Sequence, residues 1–127
     1  MPPTVLIADD ERDIATILAY AARMVWPGGR VAVVADGAAA LTRFAADSPD
    51  VVILDIAMPP PDGFVVLERI RAVSAAPVLM LTARADTRDR DRAFALGATD
   101  YMTKPFDHRD LLDRLHALLP LEPEGVS

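Results

Sequence analysis

Cysteine is absent from the 127 residues, which excludes disulfides, thiolate zinc sites, iron–sulfur clusters and a thiol nucleophile. The absence suits a reducing compartment. Asparagine and glutamine are missing too, and Lys104 is the only lysine among 13 basic residues. Where arginine is the default cation, a solitary lysine asks for a chemical reason. No apolar run approaches the ~20 residues of a membrane span, and no basic-then-apolar leader opens the sequence, so the expected location is the cytoplasm. Positive charge is scarce: 13 Lys+Arg against 19 Asp+Glu leave a net charge of −6. That is the wrong sign for displacing counterions from nucleic-acid phosphates, so direct nucleic-acid binding is not expected.

What is present suits one domain with a real core, since 52% of the residues are hydrophobic and 25% charged. Short apolar runs at Thr4–Ala8, Arg30–Val34, Val51–Leu54 and Val78–Leu81 barely alternate with polar residues, the pattern of strands covered on both faces. Asp100–Thr103 is a weaker fifth. Between them lie stretches with apolar residues three and four apart: Ile14, Ile17, Leu18, Ala21 and Val25; then Ala38, Leu41 and Ala45; then Val65, Val66 and Ile70. A charged stretch over 86–96 carries Ala93, Phe94 and Leu96, and the last helix carries Leu111, Leu112, Leu115, Leu118 and Leu119. The Pro27-Gly28-Gly29 turn ends the first helix, and Gly97 sits where a C-terminal helix glycine belongs. Fivefold strand–helix alternation predicts a doubly wound α/β domain over residues 1–119. Residues 120–127 read as a linker or tail.

In such sheets ligands sit beyond the carboxyl ends of the strands. Asp9, Asp10 and Glu11 follow the first strand, Asp36 the second and Asp55 the third; Thr82 ends the fourth and Lys104 follows the fifth. Each has an ordinary explanation. Asp9 or Asp10 would serve as a helix cap, Asp36 as a turn or cap residue, Asp55 as a turn residue, Thr82 as a cap, and Lys104 as a solvated cation. Together they make a different case, because Asp9, Asp10 and Asp55 repel one another unless a divalent cation joins them. Carboxylate oxygens, water and a backbone carbonyl suit Mg²⁺. A bound carboxylate facing a lysine and a hydroxyl is a place for a phosphoryl group. No phosphate-binding glycine loop and no nucleophile elbow occurs. His108 and His116 lack metal-ligand spacing.

These residues resemble a known family. Asp9-Asp10-Glu11, Asp55 with Met58-Pro59-x-x-Asp62-Gly63, Thr82-Ala83 and Tyr101-x-x-Lys104-Pro105-Phe106 are similar to the receiver domain of two-component response regulators. The likeness runs from about Val5 to Leu119. It implies a flavodoxin-like five-stranded parallel sheet ordered 2-1-3-4-5 and transfer of a phosphoryl group from a partner histidine kinase to Asp55. Mg²⁺ would be ligated by Asp10, Asp55 and the Ala57 main-chain carbonyl, with Asp9 acting through water. Thr82 and Lys104 would bind the phosphoryl oxygens, Tyr101 would rotate inward as a switch, and Lys104–Pro105 would be cis. The domain would catalyse only its own phosphorylation and dephosphorylation. Ala57 offers no side chain to guide water, so slow hydrolysis is expected; Arg84 would either reach the phosphoryl group or block it.

Residues around Ile14, Ile17 and Pro105–Asp107 would dock the kinase. The last third resembles the winged-helix DNA-binding subclass, which implies a homodimer through helix 4, strand 5 and helix 5, with Arg90 pairing Asp110 and Asp100 pairing Arg114 across it. The alternatives are a phosphorylation-independent pseudo-receiver and an aspartate-dependent phosphohydrolase. The second lacks its Asp-x-Asp pair here.

Overall fold

The computed structural model describes residues 2–83 and 86–119. Five strands, β1 (Thr4–Ala8), β2 (Arg30–Val34), β3 (Val51–Asp55), β4 (Val78–Thr82) and β5 (Asp100–Thr103), alternate with five helices. These are α1 (Arg12–Val25), α2 (Gly37–Asp47), α3 (Gly63–Arg71), α4 (Thr87–Ala95) and α5 (His108–Leu118). The sheet is parallel throughout, as the apolar runs predict, and ordered β2-β1-β3-β4-β5, as the family resemblance implies. The expected tail at 120–127 lies outside the described residues.

Side-chain alternation divides the core into two layers. Val5, Ile7, Ile53, Leu79 and Leu81 pack with Leu18 and Ala22 of α1 and Leu111 and Leu115 of α5. Leu6, Val52, Leu54 and Met80 pack on the other face with Ala40 of α2, Val66 and Ile70 of α3, and Ala93 of α4. The central strands β3 and β4 are buried at every position. The edge strand β2 is not: its residues are intermediate or exposed, and Val33 is 48% exposed. An edge strand lacks a neighbour on one side, so an apolar run there does not mean cover on both faces.

Helix faces also depart in places from the predicted stripes. Ile17 points outward with Tyr20 and Met24, while Ala15, Leu18, Ala19 and Ala22 turn to the sheet. On α2 the fully buried positions are Gly37 and Ala40, not Ala38 or Ala45. Alanine-rich helices carry too little contrast in hydrophobicity for the buried side to be read from spacing alone. Four helices begin at an aspartate whose carboxylate accepts a backbone N–H of the first turn: Asp36, Asp62, Asp86 and Asp107. The fifth, α1, starts at Glu11, whose side chain makes no such bond. Neither Asp9 nor Asp10 is its cap.

At the amino ends of β4 and β5, Arg71 ties two loops together. Its guanidinium donates to the carbonyls of Gly97 (2.8 Å), Ala76 (2.7 Å) and Ser74 (3.2 Å). Gly97, at φ +104°, takes the left-handed position after α4, and a Cβ there would meet the Arg71 side chain. Replacing Arg71 with Ala strands these partly buried carbonyls, so unfolding in urea should show a loss of about 2 kcal/mol at unchanged slope. A loss under ~0.5 kcal/mol would mean that water replaces the guanidinium freely.

Candidate functional site

The carboxyl ends of β1, β3, β4 and β5 converge on Lys104. Its ammonium, with only 8% of the side chain exposed, lies 2.9 Å from Asp9 Oδ2, 2.9 Å from Glu11 Oε1 and 3.3 Å from Asp55 Oδ2. Its backbone N–H donates to the Thr82 carbonyl at 2.7 Å, binding the β5 exit to the end of β4. Lys104–Pro105 is cis, as expected, and Pro60–Pro61 is a second cis bond that the sequence reading did not anticipate.

Asp55 closes β3 and is 3% exposed. The chain behind it is tightly held, because α3 begins against its backbone. The Gly63 N–H donates to the Ile56 carbonyl, and a Cβ on Gly63 would stand 2.3 Å from the Asp55 carbonyl oxygen. Glycine is required there by close approach. Asp62 starts the helix by accepting the Val65 N–H. The Met58–Gly63 pattern therefore serves to seat Asp55. Ala57 is exposed two residues past Asp55, and Thr82 is wholly buried at the end of β4.

Burial pushes the Asp55 carboxyl up from 3.8 to about 6; the Asp9 charge adds to the rise, the Lys104 ammonium opposes it, and Asp10 adds a smaller push. For Lys104, burial works against the charge, but hydrogen bonds to Glu11 and Asp9 and the Asp55 and Asp9 charges outweigh it and raise the ammonium above its ordinary value. The lysine is a fixed cation between acidic neighbours.

Asp9, Glu11 and Asp55 each offer a carboxylate oxygen, all within 4.8 Å of one another. Asp9 Oδ1 accepts the Glu11 N–H at 2.9 Å, while the buried Asp9 Oδ2 has the Lys104 ammonium, at 2.9 Å, as its one partner. An under-satisfied buried oxygen amid converging carboxylates fits a hard divalent cation. The trio differs from the set that the family resemblance implies. Asp9 takes the inner place because both its oxygens face groups of the pocket, and Asp10 is exposed.

Away from the carboxylates, the Tyr101 ring is already packed inward, 8% exposed in the layer that holds α3 and α4. Core packing, the ordinary reading of that residue, is what its burial shows. Arg114 pairs with Asp100 (2.8 Å) and Asp110 (3.1 Å) within one chain. Arg90 stands on α4 with its guanidinium 5.8 Å from the Phe94 ring centre. Arg90, Asp100, Asp110 and Arg114 all line one groove of about 450 Å³. The structure thus gathers the four residues expected at a dimer interface, but satisfies Asp100 and Arg114 internally. Arg84 lies outside the described residues.

Comparison with known proteins gives this arrangement a family. Residues 5–116 match the response regulator receiver domain. The chain belongs to that family. It is 46% identical over 115 residues to the probable transcriptional regulator ycf27 of Guillardia theta, covering 91% of this chain and 44% of the relative. It is 41% identical over 116 residues to the sensory transduction protein RegX3 of Mycobacterium bovis, covering 91% and 50%. The chain thus spans about half the length of the curated relatives it matches. Among solved structures, a putative response regulator from Chloroflexus aurantiacus superposes with a TM-score of 0.83 at 34% identity, covering 93% of this chain and 98% of that one. The chemotaxis response regulator CheY4 of Vibrio cholerae gives 0.84 at 31%, covering 94% and 100%. Among the described residues no helix is long and apolar enough to cross a membrane.

The raised Asp55 carboxyl has a consequence for the stability of this receiver domain. Well below pH 3.8 the group is neutral in folded and unfolded chains alike, and its contribution to stability is fully present. Between 3.8 and about 6 the unfolded chain releases the proton that the fold retains, and the contribution is lost as pH rises through about 6. Asp55→Asn, neutral at every pH, should come closest to the wild type at the acid end of the range in chelator and exceed it by about 1–3 kcal/mol above pH 7. Urea midpoints for both proteins across this range check it; a difference independent of pH would rule out the linkage.

Proposed function

We propose that Asp55 is a phosphoacceptor, taking a phosphoryl group from a phosphohistidine of a sensor kinase. The observation that carries this reading is a buried carboxylate at the end of β3 facing the chain's only lysine, inside a cluster of oxygens suited to a divalent cation. An Asp55 oxygen attacks phosphorus in line, the P–N bond to the imidazole breaks as the O–P bond forms, and the leaving nitrogen recovers its electron pair. Mg²⁺, held by Asp55 with Asp9, Asp10, Glu11 and the Ala57 carbonyl as candidate ligands, would supply positive charge for the phosphoryl oxygens. Lys104 contributes a second positive charge and Thr82 a hydroxyl donor, so both favour the conformation that wraps the modified Asp55.

The domain turns over no external substrate in this reading and catalyses only its own modification and slow loss of phosphate. Ala57 gives attacking water no amide or carboxylate to lean on, which favours a phospho-Asp55 lifetime of minutes or longer; decay within seconds would contradict it. The output, by analogy with relatives described as transcriptional and sensory regulators, is control of a further domain through a homodimer. In that dimer the Arg114 pairs with Asp100 and Asp110 would be exchanged or shared across α4, β5 and α5. The filled acidic positions favour this reading over a binding-only pseudo-receiver.

Intact mass after incubation with acetyl phosphate and Mg²⁺ tests the assignment. One added phosphoryl group is expected, absent in Asp55→Ala and without metal. No adduct, together with no Mg²⁺ binding, would turn the assignment to the pseudo-receiver.

The kinase-docking surface can be tested apart from the chemistry. Ile17, Tyr20 and Met24 form an exposed stripe on α1, and Ile17 and Tyr20 line a cavity of about 370 Å³ with Phe106 and His108. Apolar side chains left in water at i, i+3 and i+7 suit a partner helix. Ile17→Glu should cut transfer from a phosphohistidine protein at least tenfold and leave the acetyl phosphate reaction within twofold. Equal loss in both assays would place the defect in the fold instead.

A further inference from the structure

An ammonium has three donors, and Lys104 has three carboxylates around it. The three are not equivalent. The Asp9 and Asp55 side chains are 1% and 3% exposed, whereas that of Glu11 is 56% exposed. Asp9 is held further by the Glu11 N–H on Oδ1, and Asp55 by its place in β3. The Glu11 side chain does not cap α1, which opens on the Glu11 backbone carbonyl as acceptor of the Ala15 N–H at 2.9 Å. Esterifying Asp55 moves its negative charge onto the phosphoryl oxygens, and as Lys104 follows that charge its contact with one of the other two carboxylates loosens. Returning Glu11 to water is the low-cost exchange, since a half-exposed ion pair contributes little and its carboxylate is easily rehydrated.

We propose that Glu11 is a placeholder: it occupies one donor of Lys104 in the resting protein and gives it up to the phosphoryl oxygen when Asp55 is modified. Glu11 is then a positioning residue, acting through Lys104, and this role rests on the phosphoacceptor reading of Asp55. It keeps the ammonium paired at the pocket mouth before the donor arrives. It also makes Lys104 responsive, because the lysine changes partners on phosphorylation without having to enter the pocket.

The composition of the chain supplies the measurement. Lys104 is the only lysine, so a protein grown with carbon- and nitrogen-labelled lysine gives one side-chain signal that needs no assignment. In Mg²⁺ without a phosphodonor, the wild type and Glu11→Ala should give clearly different Lys104 signals. With acetyl phosphate added and the adduct verified by mass, the two should converge on one position, since Glu11 has left in both. Glu11→Gln, which keeps the shape and removes the charge, should behave like the alanine variant. Phosphorylation by acetyl phosphate should run about two- to fivefold faster in either variant, the factor that an exposed ion pair represents.

Signals that coincide in the resting state, or stay equally far apart after modification, would overturn the placeholder. So would slower phosphorylation with saturation moved to higher Mg²⁺, which would make Glu11 a metal ligand throughout. A wild type that gains no mass from the donor would remove the phosphoacceptor reading and this role with it. A normal adduct with persistently separate signals would remove this role alone.

Discussion

A single ammonium group holds together the end of the sheet where the chemistry collects. Lys104 brings its charge out of water, and three carboxylates from two other strand ends meet it there. Without it, Asp9 and Asp55 would be buried like charges side by side, an arrangement that neither could bear fully ionised. Through its backbone the same residue holds Thr82, so the ends of β1, β3, β4 and β5 all depend on its position. The raised Asp55 carboxyl and the under-satisfied Asp9 oxygen follow from packing acidic groups where, among the described residues, one cation reaches them. Such a site has surplus negative charge, and its natural complement is a divalent ion and then an anion bridging that ion to the lysine.

Much of this was legible in the residues. Parallel strands buried on both faces leave unbroken apolar runs, and the polar residue ending each run marks the functional edge of the sheet. That is why Asp9, Asp55, Thr82 and Lys104 could be placed together from order alone; the strand order and the cis bond before Pro105 came instead from the family resemblance, and the structure agrees with both. Asp36, a turn or cap residue by sequence, caps α2. The solitary lysine is the most informative feature of the composition, since among the described residues it is the cation that enters the carboxylate cluster.

What stayed hidden depended on contacts between residues far apart in the chain. Glu11 stood in the acidic run, but its meeting with a lysine 93 residues later has no periodic signature. Arg71, which no sequence pattern singles out, holds three loop carbonyls. Ile17 fitted an apolar stripe, yet α1 turns its alanines inward because small side chains let the helix lie close to β1 and β2. Within one chain β5 and α5 already bring Asp100 and Arg114 to 2.8 Å, a contact that the spacing of the two residues did not announce. Composition and spacing report which groups are available. The partner each one finds is decided by tertiary distance.

The two ends of the sheet are held by different means, and Arg71 shows what this implies for motion. At the far end from the lysine, its directional hydrogen bonds to loop carbonyls fix where β4 and β5 begin. Next to it, α4 buries only Ala93 and leans on the cation–π contact of Arg92 with the Phe64 ring. A helix with so small a buried face has few contacts to hold it, while its carboxyl end is fixed through Gly97 by the Arg71 guanidinium. Local opening on this side of the sheet therefore costs least at α4, next to a β4 that is buried at every position.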